Sequence, residues 1–514
     1  MDVSSLPWLT VALAVPVLLR HAAQKFRQHL LKKETALMDW PLLGRPRAEK
    51  DKIPGTVVIC GGSLAGLLAA RVCHDHFERV VIVEAEAWLS TEDGIKVESW
   101  TQTNKRARVM QYTSLHGNLV PVTDGLLRLF PDFEAECKRS RIKLVPADFK
   151  AVLAGHKCLV PYDEFGGLLP RTIQAGRQAT ETLIRRLTLN SKEYPNISQI
   201  SGTVTGTNVD PGNPNFLKTV CIQTATGPEE IDAALVIDCT GPAKAGQEWI
   251  RNAGFGGEPK ALDKLTVTYD PRVRYSSFIF RITADLAARV PEYEKEHSTG
   301  ALFMFKGDPN VSPTICAAMK IEEDFGKLFY TPFVTWGSEE LPDNVEGIRK
   351  FLKSDKSSAP IPQWIWDFFD ICEEVEDTMI FRKVRVPSPY WVHYESSNDL
   401  PANWIALGDS VSRINPAFGQ GTTKAMMGAV SLNNVLEVGK SIPRDFSRRF
   451  FHAQADKIAP VWAADKLIGV YQSHTTFYFF IGLDHDIDVQ IIRTKRQFPK
   501  KAKHLKMGLL FGGT

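Results

Sequence analysis

The chain has 514 residues, 44% hydrophobic and 24% charged, which fits a globular protein of about two to four domains and excludes a disordered chain, a collagen-like repeat and a polytopic transporter. Its 62 Lys and Arg against 59 Asp and Glu leave a net charge of +3, too small a basic excess for a nucleic-acid binder. Eight cysteines without a single C-x-x-C pair speak against a disulfide framework and a cysteine zinc site, and no metal is expected.

The charge is unevenly placed. Leu6–Leu19 carries no charge, whereas residues 20–33 carry five Lys and Arg and no acid, and residues 489–514 carry seven. Fourteen helical residues reach about 21 Å, short of a ~30 Å hydrocarbon core. Positive charge follows the apolar run, the reverse of a signal peptide. Residues 1–33 therefore read as a short hydrophobic anchor with its basic flank in the cytosol, and an amphipathic or disordered leader is the other reading. Residues 34–54, with Pro41, Gly44, Pro46 and Pro54, read as a linker.

Thr56–Cys60 is a short β-branched run and predicts a buried strand. Gly61-Gly62-Ser63-Leu64-Ala65-Gly66 follows, then a helix over 67–74 and a second strand, Arg79–Glu84. A dinucleotide turn needs G-x-G-x-x-G between strand and helix. Gly61 and Gly66 supply its first and third glycines, and Ser63 stands where the second belongs. Glu84, at the end of the next strand, is the carboxylate expected to accept the ribose hydroxyls of an adenosine. Residues 171–189 carry helical periodicity with a basic face. Ala234–Thr240 predicts another buried strand, closed by Gly241-Pro242, and 265–335 alternates as an antiparallel sheet does. Trp404–Leu407 is a last buried strand. It ends in Gly408-Asp409, whose acid suits a second polyol chain, and Pro416, Gly419 and Gly421 shape a loop at the start of a helix. Free N–H groups at such a helix start suit a negatively polarised carbonyl, as on an isoalloxazine ring.

Together, VVICGGSLAGLLAARVCHDHFERVVIVEAE at 57–86, Gln111 and His116 in QYTSLHG, Arg177-x3-Glu181-x3-Arg185, ALVIDCTGPAKAGQEWI at 234–250 and LGD…NP-x-x-GQG at 407–421 make the chain resemble FAD-dependent monooxygenases of the aromatic-hydroxylase and squalene-epoxidase type. The resemblance spans roughly 56–470. It implies an α/β fold, an FAD-binding Rossmann-like domain (55–260 and 401–470) interrupted by a mixed-sheet substrate domain (261–400); outside it, 471–514 reads as a helical, basic tail.

It also implies roles. Gly61, Gly62, Ser63, Gly66 and Glu84 hold the ADP half of FAD. Arg108 or Gln111 reaches the pyrophosphate or ribityl chain, and Thr240 and Gly241 close a turn beside the adenosine. Gly408 and Asp409 meet the ribityl or pyrophosphate, and Pro416, Gly419, Gln420 and Gly421 line the flavin ring. His116 is a candidate donor to flavin or substrate, with a structural histidine as the alternative. Arg177 either lines the FAD groove or forms a surface salt bridge with Glu181. The implied reaction hydroxylates or epoxidises a hydrophobic, terpenoid- or polyketide-like secondary metabolite with O2, by way of a flavin C4a-hydroperoxide. Electrons come from NAD(P)H or a separate reductase. A flavin reductase or dehydrogenase of an isoprenoid, or a non-catalytic FAD-binding protein, stand as alternatives. The aromatics Phe278, Phe280, Phe303, Phe305, Phe329, Tyr330, Phe333 and Trp336 suit an apolar pocket. The expected place is a membrane of endoplasmic-reticulum type, with the catalytic body cytosolic.

Overall fold

The computed structural model describes residues 6–34, 38–109, 111–113, 117–257, 261–290, 301–307, 311–322, 327–336, 340–354, 360–470 and 505–506. The N-terminal run does not stand apart as an apolar segment. It forms one helix with its basic flank, α1 (Leu6–Glu34), with Pro16 inside it. Among the described residues no helix is long and apolar enough to cross a membrane, so the reading of a membrane-crossing anchor finds no support. The charges of 20–33 continue the same helix and cut its apolar stretch short. Of the tail expected to be helical, the described part is a two-residue strand, Leu505–Lys506, beside Cys158–Leu159.

The first sheet is built from β1 (Ile53–Cys60), β2 (Phe77–Glu84), β3 (Ile197–Asp210), β4 (Asn213–Thr224), β5 (Gly227–Asp232), β6 (Leu235–Asp238) and β7 (Trp404–Ala406). Its order is β7-β6-β1-β2-β3-β4-β5. The first five of these are mutually parallel, and β3-β4-β5 is an antiparallel meander. Val57, Val58 and Ile59 are fully buried, which is why β1 reads as an unbroken apolar run rather than an alternating one. Helix α2 (Leu64–His76) covers one side, with α3 (Arg177–Thr188) beside it. The periodic stretch 171–189 is not one helix: Arg171–Gln174 is a strand paired with Lys143–Pro146, and α3 starts only after Gly176. Late in the chain, α4 (Gly421–Leu436) packs on α2, and α5 (Phe446–Val470) packs on α4.

The second sheet runs in the order 380–385, 274–282, 327–335, 314–320, 301–306, with antiparallel neighbours. Ala151–Leu153 joins it in parallel and His156–Leu159 follows, so a stretch from the first half of the chain completes the later domain's sheet. Strand alternation divides its side chains in two. Phe278, Phe280, Phe303 and Phe333 fall on the side covered by helices Val345–Ser354 and Gln363–Glu374, and Phe305, Trp364 and Trp366 pack there too. Tyr275, Ile315, Val334 and Trp336 fall on the other side, with Val273, Val384, Val386 and Ala417. Of the aromatics expected to line a pocket, Trp336 alone among the described side chains is in this second group. Those of Phe329 and Tyr330 lie outside the described ones.

Candidate functional site

The turn after β1 is fixed by close packing. Gly61 has φ +116, and a Cβ there would stand 2.4 Å from the Cys239 carbonyl oxygen. A Cβ at Gly66 would come within 1.9 Å of the Gly61 carbonyl oxygen. Neither position accepts a side chain, so α2 begins directly against the ends of β1 and β6. Gly62 donates its N–H to Glu84 Oε2 at 2.9 Å. The turn and the acid at the end of β2, both read from sequence, are thus in direct contact.

Ser63 is the N-cap of α2, but its hydroxyl does not cap that helix. It donates to Glu181 Oε2 at 3.0 Å and accepts from Arg177 at 2.7 Å. Glu181 is the hub of a buried ion cluster. Arg177 and Arg185 reach it along α3 from i−4 and i+4, and Arg106 reaches it at 2.5 Å from another segment. Arg106 also meets Glu84 at 3.1 Å. Burial opposes ionisation of Glu181, but Arg106, Arg177 and Arg185 outweigh it and hold its carboxyl well below the usual range. Burial likewise works against the charge of Arg106, while Glu181 and Glu84 push its pKa above the ordinary value. The Arg177–Glu181 pair is therefore buried, and the surface-bridge alternative falls.

Arg108 is exposed, and its backbone N–H, at 3.4 Å, points to Glu86 Oε1. Arg106, two residues earlier and 8% exposed, is the arginine of this segment that joins the cluster. The sequence reading names Arg108 and passes over Arg106, since nothing local in the sequence marks the latter. Gln111 is half-buried. His116 lies outside the described residues; Gly117, next to it, has its carbonyl oxygen 3.1 Å from where a Cβ on Gly419 would stand.

At the ends of β6 and β7 the polar groups are closed on one another. Asp238 is fully buried, accepts from the Thr240 N–H and hydroxyl at 2.8 and 2.7 Å, and accepts from Ser410 Oγ at 3.0 Å. Burial pushes its carboxyl up despite these bonds. The Gly241 N–H donates to Ser410 Oγ at 2.9 Å. Gly408, at φ +66, lies so close to α2 that a Cβ would meet the Ala65 Cβ at 2.6 Å. Asp409 follows at the surface of this junction. Its Oδ1 takes the Lys424 ammonium at 2.7 Å, and Tyr390 donates its hydroxyl to the Asp409 carbonyl at 2.5 Å.

The Pro416–Phe418 turn is capped by Asn415, whose Oδ1 accepts from the Ala417 N–H at 3.0 Å. Gly419, at φ +65, ends it, and Gln420 and Gly421 open α4. Around this loop Ser412 Oγ, Asn415 Nδ2, Gln420 Oε1, Thr422 Oγ1, Thr423 Oγ1 and Asp465 Oδ1 are buried without a hydrogen-bond partner among the described residues. Such atoms ordinarily cost about 1–3 kcal/mol each when unmatched, and six of them around one loop suit a polar ligand there. A Cβ at Gly421 would meet nothing within 4 Å. The donor and acceptor set suits the pyrimidine edge of a flavin, and free N–H groups at the start of α4 suit its carbonyl. Asp465, on α5, accepts from Tyr269 at 2.7 Å and from the Asn415 N–H at 2.9 Å. Neither Asp465 nor Lys424 carried a motif that would have marked it in the sequence.

No family model matches the chain. Protein Rv3254 of Mycobacterium tuberculosis is 23% identical over 433 residues, covering 82% of this chain and 81% of that one. PqsL of Pseudomonas aeruginosa, described as a probable FAD-dependent monooxygenase, superposes with a TM-score of 0.52 at 13% identity, over 82% of this chain and 94% of that chain. The flavin-dependent brominase Bmp2 gives 0.49 at 14% identity, over 81% and 86%. With its parallel sheet, glycine turn and interrupting second sheet, the chain shares its fold with PqsL.

Proposed function

We propose that the chain is an FAD-dependent monooxygenase acting on an apolar small molecule. The observation that carries this reading is the meeting, on one parallel sheet, of two sites far apart in sequence. One is the Gly61–Gly66 turn with Glu84; the other is Asp409 with the partnerless polar atoms around Asn415, Gln420 and Thr422. They suit the two ends of one dinucleotide. Glu84 fixes the glycine turn through the Gly62 N–H, the start of α2 receives phosphates, Asp409 accepts a hydroxyl of the ribityl chain, and the Gly419–Gly421 loop holds the ring. FAD in this setting supplies the oxygen-activating chemistry. The protein's part is to bind, orient and keep water out, and no side-chain nucleophile is required.

The sheet side that carries Ala417 supports the substrate class. Val273, Tyr275, Ile315, Val334 and Trp336 form a small apolar cluster against that flavin-loop residue. A terpenoid or polyketide skeleton suits such a wall, with NAD(P)H or a reductase as the electron source. α1 supports contact with a membrane surface: Val17, Leu18, Leu19 and Phe26 are exposed on the same helix as Arg20, Lys25 and Arg27.

The test is anaerobic visible spectroscopy of the purified full chain after FAD reconstitution. A flavin band that NADPH or a reductase bleaches, and that O2 restores with oxygenated product, is the expected result. Failure to retain FAD removes the reading. Reoxidation without product, with saturation of an isoprenoid instead, replaces it by a flavin reductase.

A further inference from the structure

Lys424 lies in the first turn of α4, where the helix dipole disfavours a cation, and its side chain is only 2% exposed. A buried ammonium at a helix start is costly unless it is paired. Its partners are Asp409 Oδ1 at 2.7 Å and the Ser412 carbonyl. Asp409 is the opposite case, with a side chain 40% exposed and no hydrogen bond to Oδ2 among the described residues. One carboxylate oxygen is thus tied to a buried cation and the other is left open at the mouth of the site. The start of α4 on one side and the β6–β7 junction on the other hold this pair in place.

We propose that Lys424 is a positioning residue for the dinucleotide. It cancels the charge of Asp409, so that the free oxygen accepts a hydroxyl of the ligand without repelling its diphosphate, and it fixes which oxygen is offered. This rests on the FAD reading above. The acid of this pair was legible in the sequence; its cation, fifteen residues later, was not.

The test uses the full chain stripped of FAD, with flavin fluorescence quenching as the binding readout and the melting temperature of the FAD-free protein as the control. Lys424→Met leaves Asp409 as an uncompensated charge and is expected to weaken FAD binding about tenfold or more. Adding Asp409→Asn removes that charge, so the double variant K424M/D409N is expected to bind FAD at least about threefold more tightly than K424M. A purely structural Lys424 would not be rescued in this way. If K424M does not fold, Lys424→Gln is compared with K424Q/D409N in the same manner. The proposal is overturned if the single variant binds FAD as wild type does, or if the double variant binds no more tightly than the single one. A wild-type chain that fails to quench flavin at all removes the FAD reading itself, and this inference with it.

Discussion

The two ends of the site treat their polar groups differently. At the first end, Glu84, Glu86, Arg106, Arg177, Glu181 and Arg185 are joined in one buried cluster whose carboxylates all find partners, and of its buried side-chain atoms only the Nε atoms of Arg106 and Arg185 lack a hydrogen bond among the described residues. At the second, Asn415, Gln420, Thr422, Thr423 and Asp465 each keep a buried polar atom without a partner among the described residues. The first end is organised before any ligand arrives. On the FAD reading, the second is completed by the ligand.

The largest expected effect breaks the first end. Glu181→Ala leaves Arg106, Arg177 and Arg185 without their shared carboxylate, and removing one partner of a buried ion network costs about 3–5 kcal/mol. Urea denaturation of the FAD-free chain should show that loss. A change below about 1 kcal/mol would mean the cluster is solvated and the contrast with the other end is wrong.

A smaller effect comes from Asp465 at the second end. Burial pushes its carboxyl up to about 6, only partly offset by the Asn415 N–H, Tyr269 and Lys424. A folded-state value above the unfolded one means the folded chain holds the proton more tightly. Asp465 therefore contributes stability that is full below about pH 4 and is lost as pH rises through about 6, by an amount of the order of 2–3 kcal/mol. Asp465→Asn keeps an oxygen for Tyr269 and the Asn415 N–H and cannot ionise. Denaturation series between pH 4 and 8 should show the variant at least as stable as wild type at the alkaline end, with that part of the slope gone. An unchanged slope would exclude Asp465 as its source.

The smallest effect on stability should come from the double change Thr422→Val and Thr423→Val. Each removes a hydroxyl that has no partner among the described residues at nearly constant volume, so the FAD-free protein should change by less than about 1 kcal/mol or gain slightly. FAD retention should nevertheless fall severalfold, read by gel filtration and the flavin absorbance that co-elutes. Equal retention would mean that these hydroxyls face no ligand and that the second end is merely underpacked.

Local sequence was most informative where one physical constraint acts within a short stretch. The Gly61–Gly66 turn, the acid at Glu84 and the Gly408-Asp409 ending were all legible, because a strand–turn–helix junction leaves no room for other residues at Gly61 and Gly66 and puts its acid at a fixed distance. The basic ion partners were less so. Arg106 and Arg108 look alike on paper, and only the approach of Glu84 and Glu181 to this segment distinguishes the buried first from the exposed second.

The sheet-rich segment makes the same point on a larger scale. Its aromatic abundance was visible, but not which side of the sheet each ring joins. That depends on strand register: a one-residue shift would exchange Phe278 and Phe280 with Tyr275 and its neighbours. Helices 345–354 and 363–374 then claim the phenylalanine side as core.

By itself, then, the sequence determined the strand–turn–helix at 53–76, the return of that sheet near residue 404 and the acids that end β2 and follow β7. These depend on backbone sterics and on patterns a few residues long. Tertiary structure alone decided that α1 is one mixed apolar and basic helix, that Arg106 joins Glu84 and Glu181, that Lys424 pairs with Asp409, and which sheet side looks toward the Pro416–Gly421 loop. Each of these depends on contacts between segments fifteen to hundreds of residues apart, or on where a helix continues past its apolar stretch, and for the ion pairs it is the pairing that offsets the cost of buried charge, which no local preference supplies.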